Sequence, residues 1–170
     1  TFLRGDNTFA TAGISGVTSS SSSTALSIDA NGHVTKPLQP AFLATITGES
    51  RTGQSSLNDS KYANEIFDNN ADYNNSNYTF TAPITGRYQF NVTMGISGIS
   101  EHNDVFIRLD TSNRDMNTRI KCGADVDHLC LPMLVDMDAN DTAKVRFQSY
   151  DDDSVEFYVD RSIFSGYLVC

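Results

Sequence analysis

Cysteine is scarce. Three thiols, an odd number, are too few for the disulfide framework of a small secreted scaffold. Cys122 and Cys130 are spaced to face each other across a hairpin. The plainer expectation for them and for Cys170 is a buried reduced thiol acting as a small hydrophobe. Basic residues are scarce too: 12 Lys and Arg stand against 21 Asp and Glu, for a net charge of −9. They do not cluster, so the counterion release that drives nucleic-acid binding has no source. The same acidity repels anionic membranes. No stretch approaches the roughly 20 apolar residues of a spanning helix, and the expectation is no membrane insertion. No basic segment followed by an apolar run marks a leader. A chain that begins on Thr1 is expected to be the C-terminal piece of something longer. No segment carries a helical period.

What is present is a period of two. "GRYQFNVTM" (86–94) sets Tyr88, Phe90, Val92 and Met94 against Arg87, Gln89, Asn91 and Thr93. "NYTFTAP" (77–83) puts Tyr78, Phe80 and Ala82 on one face, and "DVFIRLD" (104–110) does so with Val105, Ile107 and Leu109. "AKVRFQS" (143–149) alternates Val145 and Phe147 with polar neighbours; "VEFYV" (155–159) does so with Val155, Phe157 and Val159. "PAFLATIT" (40–47) opens the series. One apolar face per strand, with Asn, Asp, Ser and Gly turns between, predicts antiparallel sheets stacked as a sandwich or jelly roll. The final strand, "SIFSGYLVC" (162–170), is apolar on both faces: Phe164, Leu168 and Cys170 on one, Ile163, Tyr167 and Val169 on the other. Something must cover the outer one, and a second copy of the chain is the simplest cover.

Residues 1–37 differ. A serine run precedes "SIDANGHVT", in which Asn31-Gly32 is the strongest two-residue turn signal. This predicts a flexible connector ending in a small β-hairpin, followed by a domain over 38–170.

"PAFLATIT", "NYTFTAPITGRYQFNVTM" and the closing "FSGYLV" (164–169), in that order and at the correct ends, resemble the globular domain of the complement C1q and tumour-necrosis-factor superfamily over about residues 39–170. The resemblance implies an all-β, ten-stranded antiparallel jelly-roll sandwich, assembled as a tight homotrimer with its last strand near the threefold axis. Phe164, Tyr167, Val169 and Phe106 become the expected subunit interface. The Asn-rich "FDNNADYNNSNYT" (67–79) departs from the family by its length and polarity. "FLRGDNTFATAG" and "SIDANGHVTKPLQPAF" resemble connectors of phage and other virion fibres, so Arg4-Gly5-Asp6 reads as connector rather than adhesion signal. The implied setting is the surface of a virion, with the connector joined to other virion proteins. The implied role is recognition of a host-surface glycan or protein. Capsid decoration without a dedicated receptor, and a secreted lectin-like C1q ligand, stand as alternatives.

Catalytic patterns are weak, and no enzyme is expected. Cys122, His128 and Cys130 lack the CxxC pair or second His of a zinc site. "GISG" (95–98) lacks the context of a nucleophile elbow at Ser97. Paired carboxylates for glycan cleavage are plentiful, but nothing selects two. "DMDAND" (136–141) has the alternating oxygens of a calcium loop, with Asp141 in place of its Gly and Phe147 in place of its Glu. Asp and Asn also suit a tight turn there. The run Asp151, Asp152, Asp153 would gather like charge near a threefold axis. Calcium is the candidate cation for it, ahead of Asp136 and Asp138, though none is required. For ligand contact the expected loop residues are Tyr73, Asn74, Asn75, His102 and Asn103, with aromatic and amide groups suited to stacking and hydrogen bonding on sugars.

Overall fold

The computed structural model describes the backbone of residues 2–3 and 9–10, and residues 25–51, 56–100, 103–121, 127–149 and 154–170. The chain divides into two compact units, Thr1–Pro37 and Leu38–Cys170.

The first unit holds two short antiparallel pairs. β1 (Phe2–Leu3) pairs with β2 (Phe9–Ala10), and β3 (Ser27–Ile28) with β4 (Val34–Thr35). The second hairpin turns over three residues rather than two. The Gly32 amide donates to the Asp29 carbonyl and the Asp29 amide to the His33 carbonyl. Gly32 takes φ 85°, a left-handed value that only glycine holds without strain. The Asp29 carboxylate accepts the amides of Asn31 and His33, so it terminates the turn that Asn-Gly alone was expected to make.

The second unit is all β; no helix occurs among the described residues. In chain order its strands are β5 (Ala41–Thr45), β6 (Glu49–Arg51), β7 (Asn58–Asp59), β8 (Asn64–Asp68), β9 (Tyr73–Asn74), β10 (Thr79–Thr81), β11 (Gly86–Ser97), β12 (Asp104–Thr111), β13 (Asp115–Lys121), β14 (Asp127–Met137), β15 (Thr142–Ser149) and β16 (Val155–Leu168). They form two stacked antiparallel sheets of five principal strands each. One runs β14-β11-β16-β5-β8, with β6 attached to β16; the other runs β13-β12-β15-β10-β9, with β7 attached to β15. From β10 onward the chain crosses to the other sheet after every strand except in the β12–β13 hairpin, the jelly-roll winding expected from the sequence.

Most of the alternation read from the sequence is what the fold buries, but Tyr78, expected inward with Phe80 and Ala82, precedes β10 at φ 61° and is half-buried. Tyr88, Phe90, Val92 and Met94 of β11 point inward, as do Val105, Ile107 and Leu109 of β12. At the centre Phe42 lies between Tyr73 (centroids 4.7 Å) and Phe80 (5.0 Å), with Phe164 edge-on at 4.9 Å. Each such ring pair adds about 0.5–1.5 kcal/mol beyond the area it buries. A smaller contact, Phe147 on Phe157 at 5.2 Å, closes the other end.

β16 departs from simple alternation. Between its pairings Tyr158↔Gly95 and Ile163↔Thr93 it advances five positions while β11 advances two, an excess of three. An odd excess reverses which side chains face the core. Val155 and Phe157 therefore point inward before the bulge, and Ser162, Phe164 and Gly166 after it. Val159, expected inward, is exposed. Side chains bridge the broken ladder: Ser162 Oγ accepts the Gly95 amide at 3.1 Å, and Thr93 Oγ1 accepts the Ile163 amide at 3.1 Å.

Candidate functional site

The two outer faces of the sandwich differ in chemistry. On the β13-β12-β15 side the outward positions are charged and mutually paired. Arg108 pairs with Asp110 and, at 3.0 Å, with Asp115. Arg146 reaches Asp59 at 3.1 Å and Asp110 at 3.3 Å, and Lys144 meets Asp59 at 2.9 Å. Arg119 pairs with Asp104 at the far end. A face so neutralised offers a partner little that it does not already have, because any new contact must first break an existing pair.

The outer face of β14-β11-β16-β5-β8 sets exposed apolar side chains among uncharged polar ones. Cross-strand register aligns Leu134, Gln89, Tyr167 and Ala41 in one row, and Pro132, Asn91, Ser165, Leu43 and Phe67 in the next. Leu134 is 56% exposed, Tyr167 47% and Phe67 45%. Leu134 and Phe67 escaped the sequence reading because their strands did. β14 alternates Leu129, Leu131, Val135 and Met137 inward, but Cys130, Pro132 and Leu134 on its outward side hide the polar half of the pattern. Pro132 also reads as a breaker. It is accommodated because β14 lies at the sheet edge.

The expected interface residues separate. Tyr167 and Val169 are exposed, Tyr167 on that outer face. Phe164 is not an interface residue: it is fully buried against Phe42 and Phe90, on the inward side of the strand after the bulge. Phe106 is half-buried on the opposite sheet, between Arg119 and Gln148.

The expected ligand loops separate as well. Tyr73 is no stacking platform; it is 4% exposed and stacked on Phe42, and its hydroxyl donates to the Tyr62 carbonyl at 2.7 Å. Burial drives the ionisation of both Tyr62 and Tyr73 far above the ordinary tyrosine range. Asn74 and Asn75 are exposed, and Asn74 Oδ1 accepts the Ser76 amide. Asn103 is half-buried with its amide on the Ser100 carbonyl, while His102 lies outside the described residues. So do Cys122 and the run Asp151 to Asp153. Cys130 and Cys170, expected buried, are exposed, and His128 is exposed on β14 at the position two before Cys130. Among the described residues no three His, Cys, Asp or Glu side chains gather to hold a metal.

The acidic stretch 136–141 forms a turn. The Asp141 amide donates to the Asp138 carbonyl at 3.0 Å, and Asn140 adopts φ 75°. The Asp141 carboxylate accepts Ser112 Oγ at 2.7 Å, the Asp138 amide at 2.7 Å and Asn113 Nδ2 at 2.6 Å. These bonds, that from Ser112 foremost, hold its carboxyl below the usual carboxylate range. Asp136 meets Arg114 through both oxygens, at 2.8 and 2.9 Å, so a cation there would have to displace a guanidinium. Beside the turn lies an open cleft of about 380 Å³, lined by Thr85, Gly86, Arg87, Asn113, Asp136, Met137, Asp138 and Cys170.

The sequence profile of the C1q domain matches residues 41–169. The chain belongs to the C1q-domain family. In structure it is similar to the globular domain of zebrafish complement 1qA protein, at 15% identity and a TM-score of 0.60, covering 78% of this chain and 98% of that one. It is also similar to murine APRIL at pH 5.0, at 5% identity and a TM-score of 0.57, covering 77% and 99%. No curated protein matches it. Domains of this family are typically non-catalytic recognition modules, and no enzymatic family is indicated.

Proposed function

We propose that this chain is a non-catalytic, homotrimeric recognition knob. The observation that carries the reading is the contrast between faces. One sheet presents Phe67, Leu134 and Tyr167 to solvent, while the other pairs Lys144 and Arg146 with Asp59 and Asp110. Family members typically assemble as trimers. Exposed apolar side chains that cost stability in a lone chain are covered when copies meet. Three copies also turn weak single-site contacts into useful avidity. No cofactor is required; calcium at Asp151 to Asp153 belongs to the reading only if three copies bring those carboxylates together.

The setting we propose is a virion surface, with residues 1–37 joining the knob to other virion proteins and the knob meeting a host-surface glycan or protein. Support for that setting is the connector sequence alone. Sedimentation of the full chain tests the assembly: a trimer mass is expected, and Leu134→Glu with Tyr167→Glu should yield a folded monomer. A monomer at every concentration would refute it. Gold-labelled antibody against residues 38–170 tests the setting. Label at a tail tip supports a receptor-binding fibre, and label over the head supports decoration. Antigen found only free in the medium supports a secreted ligand instead.

A further inference from the structure

We infer that the cleft between the start of β11 and the β12–β13 and β14–β15 turns binds a neutral saccharide, and that Arg87, Asn113 and Asp138 hold it. This rests on the recognition role proposed above and assigns that role a place and a ligand class.

The argument begins with which polar groups in the cleft are committed. Asp136 is held by Arg114 through both oxygens, and Asn113 gives its Nδ2 to Asp141. Thr85 Oγ1 accepts the Ala139 amide at 3.1 Å and lies a long 3.4 Å from Asp138 Oδ1. What remains is a guanidinium, a carboxylate and a carbonyl. Arg87 has the Cys170 thiol at 3.8 Å as its side-chain contact. Among the described residues Asp138 Oδ1 has that long contact from Thr85 alone, and Asn113 Oδ1 has no donor. One strong donor and two strong acceptors thus open onto the same cleft.

A hydroxyl both donates and accepts, so neighbouring hydroxyls of one sugar ring satisfy Arg87 and Asp138 together. An anionic ligand would suit Arg87 but face Asp136, Asp138 and the chain's net charge of −9. A cationic ligand would leave Arg87 facing like charge. Neutrality removes both penalties. The walls need no rearrangement to bind, because Asp141 ties Ser112, Asn113 and the Asp138 amide into one hydrogen-bonded unit. The cleft volume lies within the range of small-ligand sites. Its openness to solvent fits a terminal or branching sugar more than an engulfed one. The site was hidden in the sequence because its three groups come from positions 87, 113 and 138, brought together by two turns and a strand end.

The test is a titration of the full chain, labelled with nitrogen-15, with methyl glycosides of glucose, galactose, N-acetylglucosamine and rhamnose; galacturonate and lysine serve as charged probes. At least one neutral glycoside should shift the Asn113 side-chain amide resonances saturably while those of Asn74, exposed on a separate loop, stay still. Arg87→Ala and Asp138→Asn should each weaken that binding about tenfold or more, with unchanged folding by circular dichroism. Response to a charged probe alone, Asn113 amide resonances that no neutral glycoside moves, or variants that bind as tightly as wild type would each overturn the assignment. Sedimentation separates this result from the assembly. A trimer with a silent cleft refutes the ligand and keeps the trimer, whereas a monomer whose Asn113 amide responds does the reverse.

Discussion

Replacing Gly166 with alanine sets two effects of opposite sign against each other. Gly166 faces the core on β16, paired with Phe90 on one side and Phe42 on the other. Glycine inside a strand costs roughly 0.5–1 kcal/mol of backbone entropy relative to alanine, so backbone considerations alone predict that Gly166→Ala stabilises. Packing predicts the reverse. A Cβ at this position would lie 2.6 and 2.7 Å from the Phe90 ring and 2.8 Å from the Phe42 ring. Neither ring has free space to retreat into. Phe42 is stacked on Tyr73 and Phe80, and Phe90 is packed against Phe80, Tyr88 and Phe164. Overpacking a filled core costs typically about 1–3 kcal/mol. Contact on both rings puts the cost toward the upper end of that range, so packing wins by up to roughly 2.5 kcal/mol, which for a domain of this size lowers Tm by up to roughly 10 °C. Calorimetry should be run at one fixed protein concentration, because assembly raises Tm by mass action. Gly166→Ala combined with Phe90→Leu should lose less than the sum of the two, by about 1 kcal/mol, since the smaller side chain yields the space. A Tm that rises in Gly166→Ala, or strict additivity in the pair, would refute the claim that this glycine exists to let two rings meet.

Two carboxylates should respond to pH with opposite signs. Asp141 has its folded pKa lowered, so its contribution to stability is present above the unfolded value near ~3.9 and is lost as pH falls through the folded value. Asp141→Ala should therefore melt below wild type at neutral pH, and the gap should narrow in acid; a pH-independent gap would argue against it. Asp72 has its folded pKa raised, by burial first and by the charge of Asp68 second. Its ionised form weakens the fold, so Asp72→Asn should raise Tm at pH 7 and lose that gain as Asp72 becomes protonated in wild type; no gain at neutral pH would contradict the assignment. Tyr73→Phe removes the hydrogen bond to the Tyr62 carbonyl and should cost about 0.5–1.5 kcal/mol in denaturant unfolding while leaving glycoside binding unchanged. Weakened binding with full stability would restore Tyr73 as a ligand residue.

By itself the sequence determined the layer architecture. Alternation in 86–94, 104–110 and 143–149 is set by chemistry at each residue, and a sheet has only one way to bury such a stripe. The two-sided apolar ending likewise announced a face in need of cover. Tertiary structure decided what lies on that face and what lies beneath it. Phe164 passed to the core because three extra residues in β16 reverse its orientation, a shift that only pairing with β11 reveals. Tyr73 passed to the core because Phe42 and the Tyr62 carbonyl meet it from other strands. Leu134 and Phe67 joined the outer face through strands whose alternation was masked by apolar residues on both sides or by polar ones flanking a short stretch. Arg87, Asn113 and Asp138 share a cleft for the same reason that no motif announces them. Local propensity acts over a few residues, whereas a site on a jelly roll is made by turns that are distant in sequence and adjacent only once both sheets have closed.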